Sequence, residues 1–151
     1  MIKIVCIGKI KESFYREAIE EYLKRISKYE EVKILELPDY GLLDEKSMIK
    51  KESLEIEKVL NDKDYNIVLD INGKEFDSID FASKINDIHN TYSNITFIIG
   101  GSCGIEEELK NKCNYKLSFS KMTFPHQLFR VVLLEQIYRA YKINNNESYH
   151  K

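Results

Sequence analysis

The sequence has few of the residues on which disulfide-rich, metal-bound or membrane-spanning proteins depend. Only 6 glycines, 2 prolines and 3 cysteines occur among 151 residues, and Cys6, Cys103 and Cys113 show no C-x-x-C spacing. This pattern favours free thiols over a disulfide framework or a zinc site. No run of 18 apolar residues predicts a membrane-spanning helix, and the first residues lack a signal-peptide pattern. We therefore expect a reduced, cytoplasmic protein without a membrane anchor.

Several catalytic motifs are also absent, and each absence excludes a class of site. No G-x-G-x-x-G follows the first apolar segment, which disfavours a Rossmann dinucleotide site, and no G-x-x-x-x-G-K-[ST] phosphate loop occurs. The G-x-S-x-G elbow of serine hydrolases is missing, and no two histidines have metal-ligand spacing. We expect no site of these kinds and no metal ion.

What the sequence contains is enough for one globular domain over residues 1–151. Hydrophobic residues make up 43% of the chain, and a domain of this length buries roughly 68–70% of its unfolded surface without disulfides or metals. Residues 1–108 hold 15 basic and 23 acidic side chains, whereas residues 109–151 hold 8 basic and 2 acidic ones. The basic C-terminal quarter indicates either a phosphate-facing surface or a solvated face matched by acidic neighbours.

Short apolar segments alternate with stretches of helical periodicity along the chain. Runs rich in β-branched residues predict buried strands, and apolar residues spaced by three or four predict helices with one inward face. Five strands alternating with five helices indicate an α/β fold, a mostly parallel sheet with helices on both faces. The predicted strands are 2–7, 32–37, 65–71, 95–99 and 115–119, and the predicted helices are 15–29, 48–60, 81–88, 105–112 and 128–143.

Local signals predict where some of these elements end. Ser13 and Thr123 are typical N-caps for the first and last helices, and Pro125 suits the first turn of the last helix. Asn72-Gly73 is a turn signal, but helical spacing follows it. We therefore expect a strand-to-helix loop there rather than a hairpin.

The last helix carries more apolar residues than one buried face needs. Across residues 128–143, 11 of 16 positions are apolar, whereas packing on one sheet face requires a stripe about 100° wide. A second buried face predicts a homodimer, and the alternative is a central helix enclosed by its own chain.

Candidate ligand-binding residues follow the third, fourth and fifth strands, because ligands of open α/β sheets bind at the carboxyl ends of strands. The three loops cover residues 70–74, 100–104 and 120–126. The Gly100-Gly101 pair lets the backbone approach a ligand closely, although such pairs also form plain tight turns. Cys103 has two interpretations: a structural thiol, or a nucleophile paired with His126.

The C-terminal region combines groups suited to contact unpaired RNA. His126 and Arg130 lie one helical turn apart, after Lys121 in the loop, and the chain ends in Tyr149-His150-Lys151. An aromatic ring, an imidazole and a cation suit stacking on an unpaired base and proton transfer from it, although a chain end often frays.

These residues lie in blocks that resemble the ribosomal RNA large subunit methyltransferase H family over the whole chain. Because that family is of the SPOUT class, the resemblance implies an α/β fold with a C-terminal trefoil knot, which periodicity does not predict. The blocks are Ile7-Gly8-Lys9, Leu69-Asp70-Ile71-Asn72-Gly73-Lys74, Phe97-Ile98-Ile99-Gly100-Gly101, the stretch LSFSKMTFPHQLFRVVL over residues 117–133, and Tyr149-His150-Lys151.

The resemblance also implies a cofactor, a substrate and the residues that serve them. The cofactor would be S-adenosylmethionine, and the substrate 23S ribosomal RNA, methylated at N3 of a pseudouridine in a hairpin loop. His126 and His150 are the expected candidates for the general base, Arg130 would stabilise negative charge on the target base, and Tyr149 would position it. The implied cofactor-binding residues are Leu69, Gly100, Phe119, Ser120, Lys121, Met122, Thr123 and Phe124.

Cys103 departs from the family pattern, since the family more often has an acidic or amide side chain at this place in the glycine loop. With a net charge of −2, the chain is expected to bind a free RNA hairpin poorly, so the assembled ribosome is the expected substrate. Two other functions fit the sequence: a non-catalytic RNA-binding or assembly protein of the same fold, and a thiol enzyme that uses Cys103.

Overall fold

The computed structural model describes all 151 residues, and its strands form a single sheet. The strands are β1 Ile2–Ile7, β2 Val32–Leu37, β3 Tyr65–Glu75, β4 Ile95–Ile99 and β5 Tyr115–Ser118. All neighbouring strands are parallel, in the order β2-β1-β4-β3-β5. The predicted sheet type is therefore confirmed.

A helix connects each strand to the next, because parallel neighbours need a connection long enough to return to the same sheet edge. The helices are α1 Ser13–Ile26, α2 Glu45–Val59, α3 Ser78–His89, α4 Glu107–Lys112 and α5 His126–Asn144. None of them combines the length and the apolar character that crossing a lipid bilayer requires.

The helices cover both faces of the sheet, as the sequence predicts. Ile4 and Cys6 of β1 lie in a core of 19 buried residues with α1, α3 and α5, whereas Val5 and Ile7 lie in a core of 8 with α2 and α4. This division follows from the two-residue period of a strand. Every residue of β4 is buried, which explains why its sequence is an almost uninterrupted apolar run.

All five predicted helix starts are wrong by two or three residues. Glu12, and not Ser13, holds the N-cap position of α1, and no side chain caps that helix. α5 begins at His126 with Pro125 in the N-cap position, so Thr123 is not a cap. α4 begins at Glu107, because Ile105 belongs to the preceding loop. Proline, with its fixed φ, suits the extended backbone just before a helix.

β3 is longer than predicted because the chain returns to the sheet after Asn72-Gly73. Leu117 of β5 pairs with Leu69 and again with Lys74, so residues 70–73 bulge out of the ladder. The expected strand-to-helix loop at Asn72-Gly73 is therefore wrong, although no hairpin forms. A Cβ on Gly73 would lie 2.7 Å from the carbonyl carbon and oxygen of Lys116, an approach that only glycine permits.

Replacing Gly73 by Ala is expected to lower the free energy of unfolding by about 1–3 kcal/mol, the usual cost of overpacking. The added methyl group must displace the Lys116 backbone and with it the pairing of β3 and β5. Urea unfolding measures the change. Asn72→Ala is the matched control, since the Asn72 side chain is exposed. Equal stability of the two variants would contradict this account of the bulge.

α5 uses one face for the core of its own chain, with α1 and α3 on either side. Tyr138 also contacts Tyr22 of α1 and Tyr29, which covers part of the face expected for a partner. Leu128 and Val132 stay only half-buried. The homodimer stays a prediction. The buried stripe of α5 is Arg130, Leu133, Leu134, Ile137, Ala140 and Tyr141.

Candidate functional site

A cavity lies at one edge of the sheet, and its walls include the bulge of β3 and the loops after β4 and β5. Its volume is about 390 Å³, within the range of roughly 300–1,000 Å³ that small-molecule sites occupy. The rule that ligands bind at the carboxyl ends of parallel strands predicts this location.

Seven of the eight residues expected to bind a cofactor line this cavity. Lys121 is the exception, since it is exposed and does not belong to the walls. Met122 is 75% exposed and Phe124 is 38% exposed, so apolar side chains surround an open mouth, a composition typical of a ligand site. The seven are Leu69, Gly100, Phe119, Ser120, Met122, Thr123 and Phe124.

The Gly100–Gly104 segment makes a tight turn against the cavity. The Gly104 amide donates to the Gly101 carbonyl at 3.1 Å, and Gly104 has a φ of +90°, a conformation that favours glycine. A Cβ on Gly100 would lie 2.7 Å from Cγ1 of Ile105. Gly100-Gly101 therefore belongs to a tight turn and also presents its backbone to the cavity. The two interpretations of the pair, a plain turn and a ligand-binding segment, are compatible.

Two oppositely charged side chains meet in the cavity wall. Asp70 Oδ2 lies 3.4 Å from Lys110 Nζ, and both side chains are largely buried. The Asp70 Oδ1 atom also accepts a hydrogen bond from the Asn72 amide at 3.0 Å. Sequence reasoning did not find Lys110, because a lysine in a short surface helix normally points to solvent.

His126 lines the cavity as the first residue of α5. Its burial lowers its pKa below the ordinary value of 6.5, and the positive charge of Arg130 lowers the pKa further. Both causes disfavour the protonated ring. His126 is therefore neutral near pH 7, the state in which an imidazole accepts a proton.

Arg130 is fully buried, with a relative exposure of 0%. Its guanidinium donates to the carbonyl oxygens of Ile7 at 2.9 Å and Gly8 at 2.7 Å, and it pairs with Glu36 at 2.7 Å. The expectation that Arg130 contacts the target base needs correction, because its donors are directed into the protein. Instead it joins the end of β1 to α5, one helical turn after His126.

Glu36 is a residue that sequence reasoning missed. Its Oε2 atom binds Arg130 and also accepts a hydrogen bond from the Ile10 amide at 3.0 Å. No sequence signal marked it, because Glu36 is an exposed residue of β2 and its partner is 94 positions away in the sequence.

The C-terminal residues Tyr149 and His150 lie apart from this cavity. The Tyr149 hydroxyl donates to Glu135 at 3.1 Å, and its ring packs against Tyr138 and the guanidinium of Arg139. His150 Nδ1 lies 3.2 Å from Arg139 Nη1, and His150 borders a second cavity of about 480 Å³. The chain thus brings His126 to the first cavity and His150 to a neighbouring one.

All three cysteines are free, as predicted. Cys103 and His126 both line the first cavity, but no hydrogen bond joins them, and the Cys103 thiol lies 3.9 Å from the Ser102 hydroxyl. Burial raises the pKa of the Cys6 and Cys113 thiols to about 11. No thiol–imidazole pair is formed, which weakens the thiol-enzyme interpretation.

Comparison with known proteins places these features in a family. A family model described as a predicted SPOUT methyltransferase matches residues 1–150. A Clostridium tetani protein named ribosomal RNA large subunit methyltransferase H is 49% identical over 99% of both chains. A Clostridium novyi protein of the same name is 50% identical, also over 99% of both chains.

A solved structure has the same fold at much lower sequence identity. The probable methylase family protein from Haemophilus influenzae Rd KW20 superimposes with a TM-score of 0.60 and is 14% identical. The match covers 99% of this chain and 70% of that one.

Proposed function

The chain belongs to the SPOUT methyltransferase family and is an rRNA methyltransferase, and on that premise we propose that it transfers the methyl group of S-adenosylmethionine to N3 of a pseudouridine in a hairpin loop of 23S ribosomal RNA. One observation carries the proposal: the bulge of β3 and the loops after β4 and β5 meet in one cavity with His126 in its wall. Relatives with the rRNA methyltransferase name match almost the whole chain, which supports rRNA as the substrate.

The walls of the cavity fit the proposed cofactor. Leu69, Phe119 and Phe124 supply apolar surface for a flat ring system, and the Gly100–Gly104 segment offers backbone donors and acceptors without side chains. The Asp70 and Lys110 pair provides the charges that an amino group and a carboxylate bind. When bound, S-adenosylmethionine supplies an electrophilic methyl group.

The chain's own residues then hold and deprotonate the target base. We propose that neutral His126 accepts the N3 proton of the base at an imidazole nitrogen. Arg130 is a positioning residue that fixes the start of α5 through Ile7 and Gly8. Tyr149 and His150 lie apart from this cavity in their own chain, so we propose that they contact the base from the partner protomer of the proposed homodimer, with His150 as the second candidate for the proton acceptor.

The remaining proposals concern the assembly in which the reaction takes place. A homodimer through the half-buried side of α5 follows from the surplus of apolar residues on that helix, and a trefoil knot at the C-terminal loops follows from the family resemblance. The assembled ribosome is the proposed substrate, because a chain with a net charge of −2 provides little general attraction for free RNA. The enzyme would then act in the cytoplasm, where ribosomes are found.

The test is calorimetric titration with S-adenosylmethionine, followed by methylation of ribosomes that lack the modification. We expect saturable binding and incorporation of one methyl group at N3 of a pseudouridine. S-adenosylmethionine binding without transfer to any RNA would favour a non-catalytic protein of the same fold. Strong methylation of a naked hairpin at moderate salt would contradict the ribosome proposal.

A further inference from the structure

A buried carboxyl group lies behind the glycine segment of the first cavity. Glu52 of α2 is 1% exposed, and the proposed chemistry does not use it. Its Oε2 atom accepts a hydrogen bond from the Tyr40 amide at 3.0 Å, whereas Oε1 is buried without a hydrogen-bond partner. Burial raises the pKa of this carboxyl group, the Tyr40 bond opposes the rise, and the neighbouring Asp39 adds to it.

The free oxygen of Glu52 faces the backbone of Gly101. A Cβ on Gly101 would lie 2.6 Å from Glu52 Oε1 and 3.3 Å from Cγ2 of Ile7. The missing side chain of Gly101 would thus point at Glu52, and the Gly101 backbone lines the cavity. Glu52 therefore sits on the outer side of a segment whose inner side faces the ligand space.

Two neighbours of Glu52 on the same helix also hold this loop. The Ser53 hydroxyl oxygen accepts a hydrogen bond from the Glu106 amide at 3.0 Å. The Ser102 hydroxyl donates to the sulfur of Met48 at 3.9 Å. α2 thus supports the loop after β4 from Ser102 to Glu106, and Glu52 lies between the two contacts.

We propose that Glu52 is a positioning residue of the methyltransferase site. Its side chain, held by the Tyr40 amide through Oε2, packs against Gly101 and thereby supports the backbone of the Gly100–Gly104 segment in its place for the cofactor. The inference rests on the proposed function, since that function assigns the segment to S-adenosylmethionine. A buried carboxyl group with one hydrogen bond costs stability that an apolar side chain would not, so a role in the site explains its presence.

The experiment compares Glu52→Ala and Glu52→Gln with the unaltered protein. Calorimetry measures the S-adenosylmethionine Kd, and amide hydrogen exchange of the cofactor-free protein measures the order of residues 100–106. In Glu52→Ala we expect a Kd weakened about tenfold, since the buried Tyr40 amide loses its acceptor and Gly101 loses the side chain packed behind it. We also expect faster exchange in residues 100–106. Glu52→Gln keeps the shape and an oxygen acceptor, so it should restore both values. Glu45→Ala, at an exposed position of the same helix, is the control.

Several outcomes would overturn the proposal. Unchanged Kd and exchange in Glu52→Ala, or an equal loss in Glu52→Gln, would remove the positioning role. If Glu52→Ala does not fold, Gly101→Ala provides the same test, because its methyl group would collide with Glu52 Oε1, and normal cofactor affinity in that variant would contradict the inference. Failure of the unaltered protein to bind S-adenosylmethionine would instead reject the proposed function, while the exchange measurement still decides the role of Glu52.

Discussion

Replacing His126 by Asn is expected to lower the single-turnover rate of methyl transfer to ribosomes about 10²–10⁴-fold, the usual contribution of a general base. His126 lines the cavity and is held neutral by its burial and by Arg130. Asparagine retains a polar side chain but accepts no proton near pH 7. Because the apolar walls and the glycine segment are untouched, the S-adenosylmethionine Kd should change little.

Matched histidine variants show whether the loss is specific. His89 lies at the end of α3, where its Nε2 atom pairs with the Tyr141 hydroxyl at 2.9 Å, and His89→Asn should leave the rate unchanged. His150→Asn tests the second candidate. A large loss in His150→Asn with none in His126→Asn would assign proton acceptance to the tail instead of the cavity.

The pH dependence of the rate follows from the lowered pKa of His126. Protonation of the His126 ring removes its ability to accept a proton. Burial and the Arg130 charge lower the pKa of His126 below its ordinary value of 6.5, so the ring becomes protonated only at lower pH. The single-turnover rate is therefore expected to stay level around pH 7 and to fall only below pH 6.5. His126→Asn should lack this acid limb.

The strand pattern and the strand-end loops could be predicted from the sequence because both depend on local physics. Apolar runs such as Ile95–Ile99 occur where a strand is covered on both faces. Parallel strands then bring Gly100 and Phe119, in the loops after β4 and β5, to the same edge as Leu69, although the expected loop after Leu69 is a bulge within β3.

Contacts between distant segments could not be predicted in this way. Arg130 pairs with Glu36, 94 positions away in the sequence, and the return of β3 after Gly73 depends on its fit to Lys116 of β5. Helical spacing places Arg130 and His126 on one face, but it does not tell whether that face meets solvent or the end of β1. The buried position of Arg130 therefore required the structure.

Replacing Arg130 by Met is expected to lower the free energy of unfolding by about 3 kcal/mol. This is the lower end of the range of about 3–5 kcal/mol that removing one partner of a buried ion pair costs. The lower end applies because the Glu36 side chain is 34% exposed, so water can solvate part of the orphaned carboxylate. The carbonyl oxygens of Ile7 and Gly8 lose their donor as well. Urea unfolding of Arg130→Met measures the loss.

The double variant Glu36→Gln/Arg130→Met separates the loss of the pair from the loss of the arginine itself. Removing the carboxylate charge should restore part of the stability, whereas an equally unstable double variant would show that the carbonyl contacts dominate. The Arg130 charge also lowers the pKa of His126, so in Arg130→Met an NMR titration should find that pKa raised. The acid limb of the methyl-transfer rate should move to higher pH with it, because the Arg130 charge adds to the effect of burial in disfavouring protonated His126.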